Sequence, residues 1–274
     1  LQLFKIVNLC NIQEQRVDFL NLSLNDDEWG DLMFGESAPL ALPPDLLQTN
    51  WCGSSGKSLA AQTVAFYQLI KHSYEQHAGL PIKNVKLLDF GCGWGRIIRL
   101  FLKDIVPEQI YGCDVDRDIL QWCQSIPGNF TVSEPRPKTL PFSTTFDLIY
   151  AFSVFTHLGK ETHMDCLRAL HAGLRVGGIL IVTVRPREFI SSRGIEFRNL
   201  PDHEIDNLLG RFDDGQYVHI PYVMEPVRGE IPYGDTAIPE QYILNHWQLF
   251  FDVIDFSPFL ADPMQISVIL RKKQ

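Results

Sequence analysis

Three glycines at alternate positions, Gly91, Gly93 and Gly95, follow a short apolar run over residues 85–90, with Asp89 two residues ahead of the first. The run reads as a strand. Residues 96–103, carrying Ile97, Ile98, Leu100, Phe101 and Leu102, read as a helix packed on a sheet. Glycines suit the turn between them because they take positive φ and let a ligand lie against the backbone. Asp89 adds a carboxylate at the strand's carboxyl end, where open α/β sheets bind ligands. The dinucleotide fingerprint G-x-G-x-x-G needs a glycine where Arg96 stands, so a nicotinamide oxidoreductase is disfavoured.

A second strand over residues 109–115 presents Asp114, nineteen residues beyond Gly95. A carboxylate at this point in a nucleotide-binding sheet accepts both ribose hydroxyls of an adenosyl group. The competing role for Asp114 is a cap on the next helix, residues 117–125.

With Asp89-Phe90 in front of it, the G-x-G-x-G turn resembles the first motif of class I S-adenosylmethionine-dependent methyltransferases. Leu140-Pro-Phe142 with Phe146-Asp147, and the helix, Gly177-Gly178 turn and strand over residues 163–184, resemble later segments of the same family. The resemblance covers roughly residues 80–184 and 238–272. It implies an α/β fold with a doubly wound, seven-stranded, mostly parallel sheet and an antiparallel last strand.

The resemblance also implies a methyltransferase using S-adenosylmethionine as cofactor and acting on an O or N atom of a small-molecule acceptor. Asp89, Gly91, Gly93 and Gly95 would shape the loop under the methionyl and ribose groups, and Asp114 would hold the ribose. Val115 would line the adenine slot, and Ala151 would mark the backbone near the methionyl amine. Glu134 is a candidate near the adenine amino group. Arg96 either meets the cofactor carboxylate or forms an outward salt bridge. No catalytic residue is assigned: Ser153 and His157 are placed to touch substrate, and His157 or His219 would serve as base if the acceptor is a hydroxyl. The alternative function keeps the fold without catalysis, as a cofactor-binding or partner-binding domain.

These residues need a scaffold. Residues 1–57 read as an irregular N-terminal extension, and residues 58–274 as the domain that carries the motifs. Gly53-Ser-Ser-Gly-Lys-Ser58 invites a phosphate-loop reading, but that signature requires glycine where Trp51 stands. A helix-entry loop with Ser58 as cap fits better, leading into a helix over residues 59–77. Strands are expected at 130–133, 145–150 and 179–184, the last fully buried. A helix at 238–247 precedes two strands at 250–256 and 265–270, whose short connection permits an antiparallel pair. Residues 185–237 show little regular patterning, which marks an inserted lid or substrate-recognition segment.

The chain has 274 residues and a net charge of -9, which argues against a bulk electrostatic grip on nucleic acid. Six cysteines, Cys10, Cys52, Cys92, Cys113, Cys123 and Cys166, form no C-x-x-C pair, so reduced thiols in a cytoplasmic protein without a metal are expected. The apolar opening at residues 1–10 is too short to cross a bilayer. Residue 1 is Leu, so the sequence is expected to start after the initiator methionine.

Overall fold

The computed structural model describes residues 19–192, 197 and 199–273. The opening at 1–10, with Cys10, lies outside them. Among the described residues nine strands form: β1 (Leu87–Phe90), β2 (Ile110–Asp114), β3 (Asn129–Val132), β4 (Phe146–Ala151), β5 (Leu174–Val184), β6 (Val218–Pro221), β7 (Gly234–Ala237), β8 (Phe251–Pro258) and β9 (Ile266–Lys272). Seven make one sheet in the order β3-β2-β1-β4-β5-β9-β8, and β6 pairs antiparallel with β7 in a second. The pairs β2–β3, β1–β4 and β4–β5 are parallel, whereas β9 runs antiparallel to both β5 and β8. This is the expected seven-stranded sheet.

By internal contacts the chain divides into two compact units. One comprises Leu1–Val85 and Cys92–Val132. Its helices are α1 (Asp26–Phe34), α2 (Asp45–Cys52), α3 (Gly56–Ala78) and α4 (Arg117–Leu120). Asn25 opens α1 with a capping box: its side chain accepts from the Glu28 amide while the Glu28 carboxylate accepts from the Asn25 amide. Trp29 and Met33 of α1 are fully buried, and the Trp29 indole donates to the Leu100 carbonyl at 2.8 Å. The N-terminal segment thus supplies core to this unit.

Two local expectations change here. The N-cap of α3 is Ser55, and Ser58 lies within its first turn. Because α2 precedes this loop, the strand that a phosphate loop requires is missing. Residues Ile98–Lys103 form a 3-10 helix in place of an α-helix. The Arg99 guanidinium Nε donates to the Gly95 carbonyl at 3.1 Å, while the Arg99 amide reaches that carbonyl only at 3.4 Å. Both donors share the two lone pairs of one carbonyl.

The other unit comprises Lys86–Gly91 and Ser133–Gln274. Its helices are α5 (Lys160–Gly173), α6 (Arg187–Ser191), α7 (Asp202–Asp213) and α8 (Glu240–His246). β1 and β4 lie side by side in register Leu87↔Leu148 to Asp89↔Tyr150, and the strand order reverses between them. That is the switch point at which open α/β sheets bind ligands. Between Phe146↔Leu174 and Leu148↔Ile179 the β5 side carries extra residues, with Gly177 at φ +74, so the expected glycine turn is a loop-out within the strand.

Residues 185–237 are more regular than their sequence suggests. They contain α6, α7, β6 and β7. Phe189, Ile190, Phe197, Ile205, Leu208, Val218 and Ala237 make one apolar cluster. No described helix is long and apolar enough to cross a membrane.

Candidate functional site

In the first unit the glycine turn is held to the end of β2. The Cys92 amide donates to the Cys113 carbonyl at 3.0 Å, and the Gly95 amide to the Cys92 carbonyl at 2.9 Å. Gly93, at φ +52, donates its amide to Asp114 Oδ2 at 2.8 Å, and the Asp116 amide donates to Asp114 Oδ1 at 2.9 Å. Each carboxylate oxygen therefore accepts from one of these amides, and the Val115 amide adds a further pull on the same carboxylate. Asp114 is 7% exposed, and burial raises its pKa against the opposing pull of these N–H bonds. The helix-cap role falls to Asp116, whose side chain accepts from the amides of Asp118 and Ile119. Val115, next to Asp114, is 39% exposed, an apolar side chain left open beside a buried carboxylate.

The three glycines do different jobs. A Cβ on Gly95 would stand 2.3 Å from Ile126 Cδ1, and within the second unit one on Gly91 would stand 2.3 Å from Val154 Cγ2. At these positions glycine makes room for packed protein side chains as well as taking positive φ. A Cβ on Gly93 would meet only the Trp51 ring, at 3.7 Å.

Two arginines follow the turn. Arg96 points inward, its Nη1 donating to Gln62 Oε1 at 2.8 Å and Thr63 Oγ1 at 3.1 Å, which replaces the outward orientation considered from sequence. Arg99 is fully buried, lies 5.0 Å from the Trp94 ring centroid and donates to the Ala41 carbonyl. Desolvation lowers its pKa to about 10. A cleft of about 460 Å³ in this unit, between Arg117, Leu120, Cys123, Phe130 and Val132, contains none of the expected cofactor residues.

In the second unit, Asp89 is buried and accepts from the Tyr150 hydroxyl at 2.8 Å. Ala151 is fully buried at the end of β4 and pairs with Val182. Just beyond it, Ser153 adopts φ +59, rare for a residue with a side chain. Its amide donates to Thr183 Oγ1 at 2.7 Å, and its hydroxyl contacts Thr156 and Gln265 at 3.1 and 3.2 Å. Those bonds hold the strained backbone in place. Glu134 is largely exposed, with Arg228 at 3.8 Å.

His157 belongs to a polar cluster that sequence reasoning did not assemble. Arg185 Nη1 donates to Asp235 Oδ1 at 2.8 Å, and Arg185 Nη2 faces His157 Nε2 at 3.3 Å. His157 Nδ1 lies 2.9 Å from the Tyr222 hydroxyl and 3.1 Å from the Gly234 carbonyl. The guanidinium can only donate, so Nε2 accepts and Nδ1 carries the proton. Burial, followed by the Arg185 charge, lowers the His157 pKa to about 4. His219 Nδ1 is bonded to Thr236 Oγ1 at 2.8 Å, and burial lowers its pKa too. A neutral imidazole with its lone pair occupied is a poor proton acceptor, so His157 does not fit the role of base. The signal available in the sequence was position: Arg185 immediately follows β5.

Among the described residues no group of three or more His, Cys, Asp or Glu side chains is arranged to hold a metal. Cys92, Cys113, Cys123 and Cys166 are buried free thiols, and Cys52 is a half-buried one.

The sheet order and the carboxylate-bearing glycine turn define the class I methyltransferase fold. Residues 88–180, roughly a third of the chain, match the family model described as "Methyltransferase domain", and the chain carries such a domain there. Among solved structures, an S-adenosylmethionine-dependent methyltransferase from Clostridium acetobutylicum ATCC 824 superposes with a TM-score of 0.54 at 10% identity, covering 84% of this chain and 97% of that one. Another S-adenosylmethionine-dependent methyltransferase, from Mesorhizobium loti, gives 0.51 at 15% identity over 76% and 98%. At these identities the likeness is one of fold. No curated protein matches the sequence.

Proposed function

We propose that this chain is an enzyme that transfers a methyl group from S-adenosylmethionine to an O or N atom of a small-molecule acceptor. The observation that carries the reading is the Asp114 carboxylate, buried beside the glycine turn with the Gly93 amide on one oxygen and the Asp116 amide on the other, at the place where a nucleotide-binding sheet presents a carboxylate to ribose hydroxyls. Exposed Val115 supplies an apolar surface for the base. Gly93 and Gly95 shape the loop beside that carboxylate, and Asp89, Gly91 and Ala151 are the proposed cofactor residues of the second unit.

The cofactor's sulfonium supplies an electrophilic methyl group, so the protein's main task is to hold the acceptor in line with it. Residues 185–237 are the proposed acceptor-recognition segment, with Tyr222 as the polar group nearest His157. His157, held neutral, orients Tyr222 and removes no proton itself.

The test is incubation of the purified chain with methyl-labelled S-adenosylmethionine and a fractionated metabolite extract, read by mass spectrometry. A labelled small molecule with stoichiometric S-adenosylhomocysteine supports the reading. Absence of any labelled product, with the cofactor bound but unconsumed, supports instead a binding domain of the same fold.

A further inference from the structure

Trp51 sits on the last turn of α2 and is 48% exposed, while Trp29, Trp94 and Trp247 are at most 1% exposed. Its six-membered ring lies 3.7 Å from the point where Gly93 would carry a Cβ, and Gly93 is the glycine whose amide holds Asp114. Every other side chain near a turn glycine fills space: Ile126 and Cys123 close on Gly95, and Val154 on Gly91. Trp51 alone leaves half its surface open beside the turn. A large aromatic surface left in water next to a polar binding group forgoes burial that a ligand can supply. Ring faces also attract cations, and a sulfonium is one.

We infer that the Trp51 indole is a binding surface for the cofactor held at Gly93 and Asp114, packing against the ligand and contributing affinity that the glycine turn and carboxylate alone do not provide. This rests on the proposed function. It assigns a role to the segment before residue 58, which the sequence motifs leave without one.

The test is calorimetric titration of S-adenosylhomocysteine into wild type, Trp51→Phe and Trp51→Ala, together with acrylamide quenching of tryptophan fluorescence in each. The expected result is a dissociation constant raised about tenfold in Trp51→Ala and less in Trp51→Phe, in line with the loss of a large apolar contact. Ligand should also reduce quenching in wild type and leave it unchanged in Trp51→Phe. Should Trp51→Ala fail to fold, the Phe variant and the quenching decide. Wild-type binding with affinity unchanged in the variants, or quenching indifferent to ligand, overturns the inference and leaves the proposed function standing. A wild type that ignores the ligand overturns both.

Discussion

The Gly93 amide and the Asp114 carboxylate are joined by a 2.8 Å hydrogen bond that links the middle of the glycine turn to the end of β2. Twenty-one residues apart in sequence, they make one unit: the conformation of the turn orients the carboxylate, and the carboxylate fixes the turn. A hydrogen bond to a charged acceptor is stronger than one between neutral groups, so the link is stable without a ligand.

Asp114 must be ionised to accept two hydroxyl protons while keeping its backbone donors. Its pKa is raised by burial, so protonation on acidification begins at a higher pH than for an exposed aspartate. Affinity for S-adenosylhomocysteine is expected to fall as pH drops into that range, and Asp114→Asn to weaken binding at least about tenfold at pH 7, by the loss of charge-assisted hydrogen bonds. Calorimetric titration across pH checks both. Equal affinity in the variant contradicts the ribose assignment.

Gly95→Ala combines φ +77 with a Cβ 2.3 Å from Ile126 Cδ1. It is expected to cost about 1–3 kcal/mol, measured by urea unfolding. Pairing it with Ile126→Val, which removes the clashing methyl, should recover part of that loss; strictly additive effects would contradict the packing account.

His163 is fully buried, stacks on Tyr217 with centroids 4.7 Å apart, and uses Nδ1 against the Lys160 carbonyl. Burial lowers its pKa from 6.5 to about 3, with the His246, Lys160 and Arg168 charges acting in the same direction. Between these values the unfolded chain binds the proton that the folded chain refuses, so stability is full above pH 6.5 and is lost as pH falls. The loss attributable to His163 between pH 7 and 5 is about 2 kcal/mol. His163→Phe should shrink the pH 7 to 5 difference in denaturant-derived stability by that amount; an unchanged difference contradicts the assignment.

Glu230 caps α5 from outside the helix. Its carboxylate accepts from the amides of Glu161 and Thr162, each at 2.8 Å, and from the Thr162 hydroxyl at 2.6 Å. A carboxylate there satisfies unpaired amides and complements the helix dipole. Glu230→Ala is expected to cost about 1–2 kcal/mol in thermal or denaturant unfolding. An unaffected unfolding midpoint would show that the cap is not used in solution.

The sheet was largely legible because its strands announce themselves locally. Residues 179–184 are a β-branched apolar run, and the alternate glycines mark where β1 stops. What sequence concealed depends on contacts distant in the chain. Arg99 adds its guanidinium to the Gly95 carbonyl just before the 3-10 helix that stands where an α-helix was expected. Trp51 reaches the glycine turn from a helix about forty residues earlier, and Arg185 meets Asp235 fifty residues later. One element was legible and overlooked: Ile205, Leu208, Leu209 and Phe212 recur at helical spacing in α7, inside a stretch read as irregular.

The most direct test is a crystal structure of the chain grown with saturating S-adenosylhomocysteine. The account predicts both ribose hydroxyls within hydrogen-bond distance of the Asp114 carboxylate, with the ligand lying along the turn at Gly93. Ligand density elsewhere on the protein, or its absence at millimolar concentration, would contradict it.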